Sequence, residues 1–594
     1  MKTKNFIAVL FLAILLFTPL IFLVNKTKNP FLVQSVFLNC GIALILLIAL
    51  VRICLKGAVF PRSPFDRFWI GWLALAVVSL LSALYQNQGR RTALMVMGLE
   101  NIVFLVLNGL AVYYLAFILS QLKDFLRTAI YILVTVAVIA CTYGLMQYFG
   151  FEPLWSQQVK YFEGRVVSTF GNPAFLSSFL VMIIPLVAAL WLNARTKTSK
   201  FMWSLVFLMV FTILLAASAR SALAGLAAAF ILFILYLYKL GYRREIKILS
   251  LSLLVLVLLT GSIVYFSSQK DLLRARLSAV VKPQALGASL QQRFLIWCCS
   301  LEMFYQHPLT GQGWGLFELF YPYYQSSYLK DPAFASYKTH ANHAHNELLQ
   351  IAAELGTVGI LFGLYFISVL TRQMKRLLTG KITREQQLIA LGIFSGIIGM
   401  IVDSMFNVSF RITAPAMVFW CLVGLLSGLE PLPGPDKPVV SGFWRLGALV
   451  LIPFVLLCFG ISVLQLQAAR HHFIGLNYAA ASERTPLAEQ QQKYSLLISG
   501  EQELVQSLQL FPWNKEVAYD LGGIYFRLGE KDQAIVAYTR AIELDFSYEE
   551  MFYMLGISLL EGGRLAAAEQ SLRQALALNP NSEPAQAALA GLAK

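Results

Sequence analysis

Long apolar runs, interrupted at short intervals by basic or turn-forming residues, fill the first three quarters of the chain and then stop. A run of about 18 or more apolar residues is long enough to cross a bilayer as a helix. Such runs lie near 6–24, 31–51, 68–85, 93–119, 127–149, 174–192, 201–217, 221–238, 246–266, 348–370, 388–406, 413–429 and 446–464, which predicts about 13 transmembrane helices. The first run follows Met-Lys-Thr-Lys. It is long and lacks a small-residue cleavage site behind it, so it reads as an uncleaved span.

Beyond the last run, self-similarity at a fixed interval replaces hydropathy as the organising pattern. Leu521, Gly522, Gly529, Ala534 and Ala541 recur as Leu555, Gly556, Gly563, Ala568 and Ala575, and Pro512, Phe546 and Pro580 mark the junctions at the same interval. This is the pattern of tetratricopeptide repeats, paired helices that stack into a solenoid with a concave face for a protein partner. Residues 483–511 read as a degenerate preceding unit and 583–594 as a truncated one. The expected fold is therefore all-α: a polytopic helical membrane domain over 1–466, a linker over 467–482 and an α-solenoid over 483–594.

Composition agrees with an integral membrane protein. Of 594 residues, 58% are hydrophobic and 13% charged, with a mean hydropathy of +0.67. The net charge of +16 is uneven: residues 467–594 hold 10 basic and 15 acidic side chains, so the remainder carries 37 basic and 16 acidic, or +21. With the N-terminus inside, the cytoplasmic loops hold 22 Lys and Arg and the short outside loops eight. Positive charge is retained on the cytoplasmic side, which places the long 267–346 loop and the repeats outside. The basic excess is a topology signal and calls for no nucleic-acid partner. Seven cysteines, five of them inside apolar runs and Cys298 and Cys299 adjacent, form neither a disulfide framework nor a zinc-ligand spacing.

Candidate chemistry gathers at the outside loops. The stretch HAHNELLQIAAELGTVG, His343 to Gly359, sets two imidazoles, an amide and a carboxylate at the start of an apolar helix. Glu347, Gln350 and Glu354 follow at i, i+3 and i+7, a polar stripe that cannot face lipid. Arg220 stands in a turn of a few residues between two apolar runs, where a guanidinium held at the interface calls for an anionic partner. Arg293 opens an amphipathic helix followed by a Gly-rich turn and an aromatic patch. Arg165 precedes STFGNPAF, where Asn172 and Pro173 begin a span and Asn172 fits an N-cap.

Together these residues resemble the membrane domain shared by bacterial O-antigen ligases, O-antigen polymerases and protein O-oligosaccharyltransferases. In that family a His-Asn pair is followed by nine residues, a Gly, two residues and a Gly, a spacing matched by His345, Asn346, Gly356 and Gly359. Arg220 matches the Arg of a short periplasmic turn and Arg293 the Arg that opens a helix in the large periplasmic loop. Ala174 stands where many relatives carry a second Asn. The resemblance covers roughly residues 150–430.

It implies a multi-pass protein of the bacterial cytoplasmic membrane. Its activity would be transfer of a glycan from an undecaprenyl-pyrophosphate carrier to a glycan, lipid or protein hydroxyl at the outer face. Arg220 and Arg293 would hold the departing pyrophosphate, since Arg gives bidentate phosphate contacts and stays charged when desolvated. His345 would take the acceptor proton, as an imidazole titrating near neutrality can. Arg165, Asn172, His343, Asn346, Glu347 and Arg411 complete the candidate substrate-binding set. No cofactor or metal is called for, and inversion follows from a single displacement. Two other readings are a transporter of the inorganic-carbon type and a membrane scaffold built on the repeats. No internal membrane repeat or pair of broken helices supports the first, and the second needs far fewer spans.

Overall fold

A computed structural model describes residues 2–57, 61–155, 161–162, 164–266, 287–337, 340–380, 382–430 and 442–592. Part of the expected outside loop, 267–286, lies beyond the described residues. Among those described there are 22 α-helices and no strand. The membrane domain comprises α1 (Lys2–Phe17), α2 (Leu32–Lys56), α3 (Asp66–Gln86), α4 (Arg91–Asn101), α5 (Asn108–Leu119), α6 (Phe125–Tyr148), α7 (Pro173–Asn193), α8 (Lys197–Ala217), α9 (Arg220–Lys239) and α10 (Arg243–Phe266). After these come α11 (Gly287–Gln306), α12 (Phe317–Tyr328), α13 (Glu347–Thr379), α14 (Arg384–Asp403), α15 (Thr413–Ser427) and α16 (Gly442–Arg484). The repeats follow as α17 (Gln490–Leu510), α18 (Lys515–Leu528), α19 (Lys531–Leu544), α20 (Glu549–Glu561), α21 (Leu565–Leu578) and α22 (Glu583–Leu592).

Ten of the described helices are long and apolar enough to cross a membrane, with α4 and α5 joined through a π-helical turn at Ile102–Leu107 into one of them. The expected runs at 6–24 and 413–429 form the shorter apolar helices Lys4–Phe17 and Thr413–Ser427. By this measure the number is ten among the described residues, against 13 expected. Pro19, which cannot donate a backbone hydrogen bond, stands just beyond the end of α1.

The centre of the domain is α7, with 89% of its most apolar stretch buried against 17% for α16. Lipid tails are as apolar as Leu, so close backbone approach rather than a hydrophobic drive holds such helices together. Glycines permit that approach: a Cβ on Gly396 of α14 would lie 2.5 Å from the Met182 carbonyl of α7, and one on Gly225 of α9 would lie 2.4 Å from the Gly399 carbonyl. This packing brings the N-terminal ends of α7 and α9 beside the C-terminal end of α14.

Helix α13 is broken at Gly356, where φ is 63° and ψ is −157°. The break is sealed by the turn before α12. Thr357 N donates to Pro308 O at 2.8 Å, while Gln312 N and Gly313 N donate to Ala353 O and Glu354 O at 2.8 and 2.9 Å. Backbone groups freed at membrane depth must find such partners. A Cβ at Gly356 would stand 2.5 Å from the Leu309 carbonyl, and φ there is left-handed, so glycine is required on both counts.

The segment 467–482, expected as a linker, is helical throughout as the second half of α16. It packs on α17 with Ser507 Oγ donating to Ala468 O at 2.8 Å. No Pro interrupts it and its residues favour helix, so the span simply continues. In the repeats, Gly522 lies under the Tyr538 ring and Gly556, its counterpart in the next unit, under Leu572, each within 2.8 Å of where a Cβ would be. Gly529 and Gly563 carry the equivalent turns with φ of 81° and 73°.

Candidate functional site

The turn His343-Ala344-His345-Asn346 separates two polar clusters. Asn346 Oδ1 caps α13 by accepting from Leu349 N at 3.1 Å. His345 is left-handed, φ 51°, a conformation costly for a residue with a Cβ. Its neighbours hold it there: Trp297 Nε1 donates to Ala344 O at 3.1 Å, and Ala344 N donates to Gln350 Oε1 at 3.0 Å.

On one side lie Arg220, Arg293, His345 and Asp403. Arg220 begins α9 and is exposed. Arg293 is half-buried on α11, one turn before Trp297. Burial, followed by the Arg220 cation, depresses the Arg293 pKa, and Asp403 opposes this. Burial and the Arg293 cation push the His345 imidazole down to about 4. Both effects work against the near-neutral titration expected for His345 and favour the neutral imidazole. Asp403, the last residue of α14, is buried, and its Oδ2 accepts from Ser178 and from Asn407 Nδ2 at 3.3 Å. Asp403 is a rare ionisable group inside an apolar run, and the sequence alone assigns it no role. Its rarity there was the available signal, since such groups face the bundle interior.

On the other side lie His343, Glu347, Gln350, Glu354 and Arg411. Arg411 donates to Glu347 Oε1 at 3.1 Å and to Glu354 Oε2 at 3.0 Å, and its guanidinium lies 4.5 Å from the Trp314 ring centroid. The polar stripe read from the sequence thus faces a buried ion triad, and Arg411 is already engaged by two carboxylates and an indole. Gln350 Nε2 contacts His343 Nδ1 at 3.2 Å and Glu354 Oε1 at 3.1 Å. Burial, then the Arg411 cation, push the His343 imidazole down to about 3.

The remaining candidates are engaged locally. Asn172 Oδ1 caps α7, accepting from Ala174 N at 2.9 Å. Arg165 Nε donates to Phe162 O at 3.3 Å and its guanidinium lies over the Phe162 ring.

A large cavity opens on the His343 side, lined by residues of α2, α4, α13 and α16 and by the first repeat. The repeats are docked on the segment that precedes α13. Lys515 Nζ donates to Glu318 Oε1 at 2.7 Å and to Asp545, Tyr323 Oη donates to Phe546 O at 3.0 Å, and Asn581 Nδ2 donates to Leu329 O at 2.6 Å. Burial raises the Glu318 carboxyl, but hydrogen bonding from His340 and the Lys515 cation outweigh it and hold the group low, at about 2.

Fold and site together define a multi-pass helical membrane protein with a cationic and imidazole cluster at the start of α13 and docked C-terminal repeats. Residues 205–364 match a family model described as "O-Antigen ligase", and residues 519–583 and 553–593 match one described as "Tetratricopeptide repeat". The first match contains Arg220, Arg293 and the whole His343–Gly359 motif. No curated protein matches the chain. A solved structure titled "First TPR of Spaghetti (RPAP3) bound to HSP90 peptide SRMEEVD" is similar at 20% identity over 20% of this chain and 92% of its own, with a TM-score of 0.18.

Proposed function

We propose that the protein transfers a glycan from an undecaprenyl-pyrophosphate-type lipid to an acceptor hydroxyl at the outer face of the cytoplasmic membrane, in one inverting displacement that needs no metal. The observation that carries this reading is the electrostatic coupling of Arg220, Arg293 and His345, which come from three separate segments within the ligase-family match. Exposed Arg220 meets the pyrophosphate first, and half-buried Arg293 stabilises the charge that grows as the glycosidic bond breaks. His345, neutral and oriented by the hydrogen bonds on Ala344, takes the proton of the attacking hydroxyl. Asp403 balances Arg293 in the substrate-free protein. Arg411 and Glu347 act indirectly in this scheme by fixing the start of α13, and Arg165, Asn172, His343 and Asn346 position the surrounding turns.

The test is transfer from purified lipid-linked glycan to candidate acceptors. His345→Ala is expected to abolish transfer with donor left intact, and Arg220→Lys and Arg293→Lys to be severely impaired because a point charge cannot replace bidentate contact. Transfer at the parental rate in all three variants, or loss in EDTA restored by a divalent cation, would overturn the mechanism.

A further inference from the structure

The cavity on the His343 side has a volume of about 1310 Å³ and is walled in part by Trp513, Asn514 and Lys515 of the first repeat. Its lining combines indoles, Trp314 and Trp513 among them, with Glu100, Glu318 and Gln465. Gln465 and Glu100 both line it, so it presents an amide as well as carboxylates. Its three Lys and Arg side chains are committed: Lys515 to Glu318 and Asp545, Arg411 to Glu347 and Glu354, and Lys28 to Glu516. A cavity rich in carboxylates with its cations paired is a poor host for pyrophosphate. Indole faces pack on the C–H faces of sugar rings, while carboxylates and amides accept from and donate to hydroxyls. Trp513 is 43% exposed and its ring meets only Phe511 edge-on among described rings, at 5.6 Å, so it is a surface presented to the cavity rather than a core residue.

We propose that this cavity binds the acceptor, that the acceptor is an oligosaccharide, and that Trp513 of the first repeat is the stacking platform that selects it. The repeats would then be part of the substrate site as well as a docking module. Assignment to the acceptor rests on the glycan-transfer reading; the saccharide site itself does not.

The full chain in lipid nanodiscs is tested against an array of free oligosaccharides, with hydroxyl-bearing peptides as comparators, and then for transfer. Parent protein is expected to retain oligosaccharides over peptides. Trp513→Ala is expected to lose about tenfold in affinity, with Trp513→Phe within about threefold, on the scale of one aromatic stacking contact. In transfer, Trp513→Ala is expected to raise the acceptor KM by a similar factor with kcat little changed and with hydrolysis of donor in the absence of acceptor unaltered. Unchanged saccharide affinity in Trp513→Ala at an unchanged Tm, or preference for peptides, would overturn the site. A matching rise in donor KM during hydrolysis would overturn its assignment to the acceptor. Saccharide binding lost in Trp513→Ala without any parental transfer would leave the site standing and sink the transfer reading. Transfer that needs His345 but ignores Trp513 would do the reverse.

Discussion

His345 combines a left-handed backbone, a neighbouring cation and a neutral ring, and each has a measurable result. Because its pKa is lowered to about 4, the deprotonated form needed for a base is fully present at neutral pH and is lost only as pH falls through about 4. The acid limb of kcat/KM for donor is therefore expected near pH 4, with no inflection around 6.5 from this group. An inflection near 6.5 that vanishes in a His345 variant would show that neither burial nor the Arg293 cation lowers its pKa in the working protein. Gly356 is the second informative residue. Ala there would place its Cβ 2.5 Å from the Leu309 carbonyl at a φ of 63°, and Gly356→Ala is expected to cost about 3 kcal/mol or more, read as a lowered Tm in detergent. The spacing from His345 to Gly356 was legible in the sequence, but its cause was not. The break depends on the carbonyls of Pro308 and Leu309, and nothing local to Gly356 announces a turn so far upstream.

At the scale of elements, the repeats meet the segment before α13 where α12 packs on α21 and pairs with the start of α18. Lys515 is the shared cation, with Glu318, Asp545 and the Tyr548 ring around it. Lys515→Met would leave two buried carboxylates without it, a change that costs about 3 kcal/mol in comparable buried pairs. Limited proteolysis is expected to release the repeats from Lys515→Met faster than from the parent, while the membrane fragment stays intact; equal rates would mean that the apolar contacts around Phe546 suffice. The repeats themselves were readable because Gly522 and Gly556 do the same packing job in successive units. Their docking was hidden, since Glu318 and Lys515 are 197 residues apart and neither belongs to a periodic pattern. The ion triad of Arg411 was half legible for the same reason: Glu347 and Glu354 share a helix face, but their partner arrives from another loop.

For the whole molecule, the docking of α12 on the repeats requires both to lie on one side of the bilayer, and the Lys and Arg bias argues that this side is outside. In a background without native cysteines, Lys330→Cys and Gln570→Cys, both at exposed positions, are expected to react with an impermeant thiol reagent applied to intact cells, whereas Lys375→Cys is expected to react only after lysis. The opposite pattern would move the His345 cluster to the cytoplasm and remove the lipid-linked donor from its reach. Helix α16 ties the two halves together without a joint. Its 43 residues amount to about 64 Å at 1.5 Å per residue, running from within the apolar layer into the first helix pair of the solenoid. It behaves as a ruler. The depth at which its apolar half settles bears on the height at which Trp513 is carried, so a thicker or thinner bilayer is expected to load the Lys515–Glu318 and Tyr323–Phe546 contacts that tie the repeats to the segment holding Trp314.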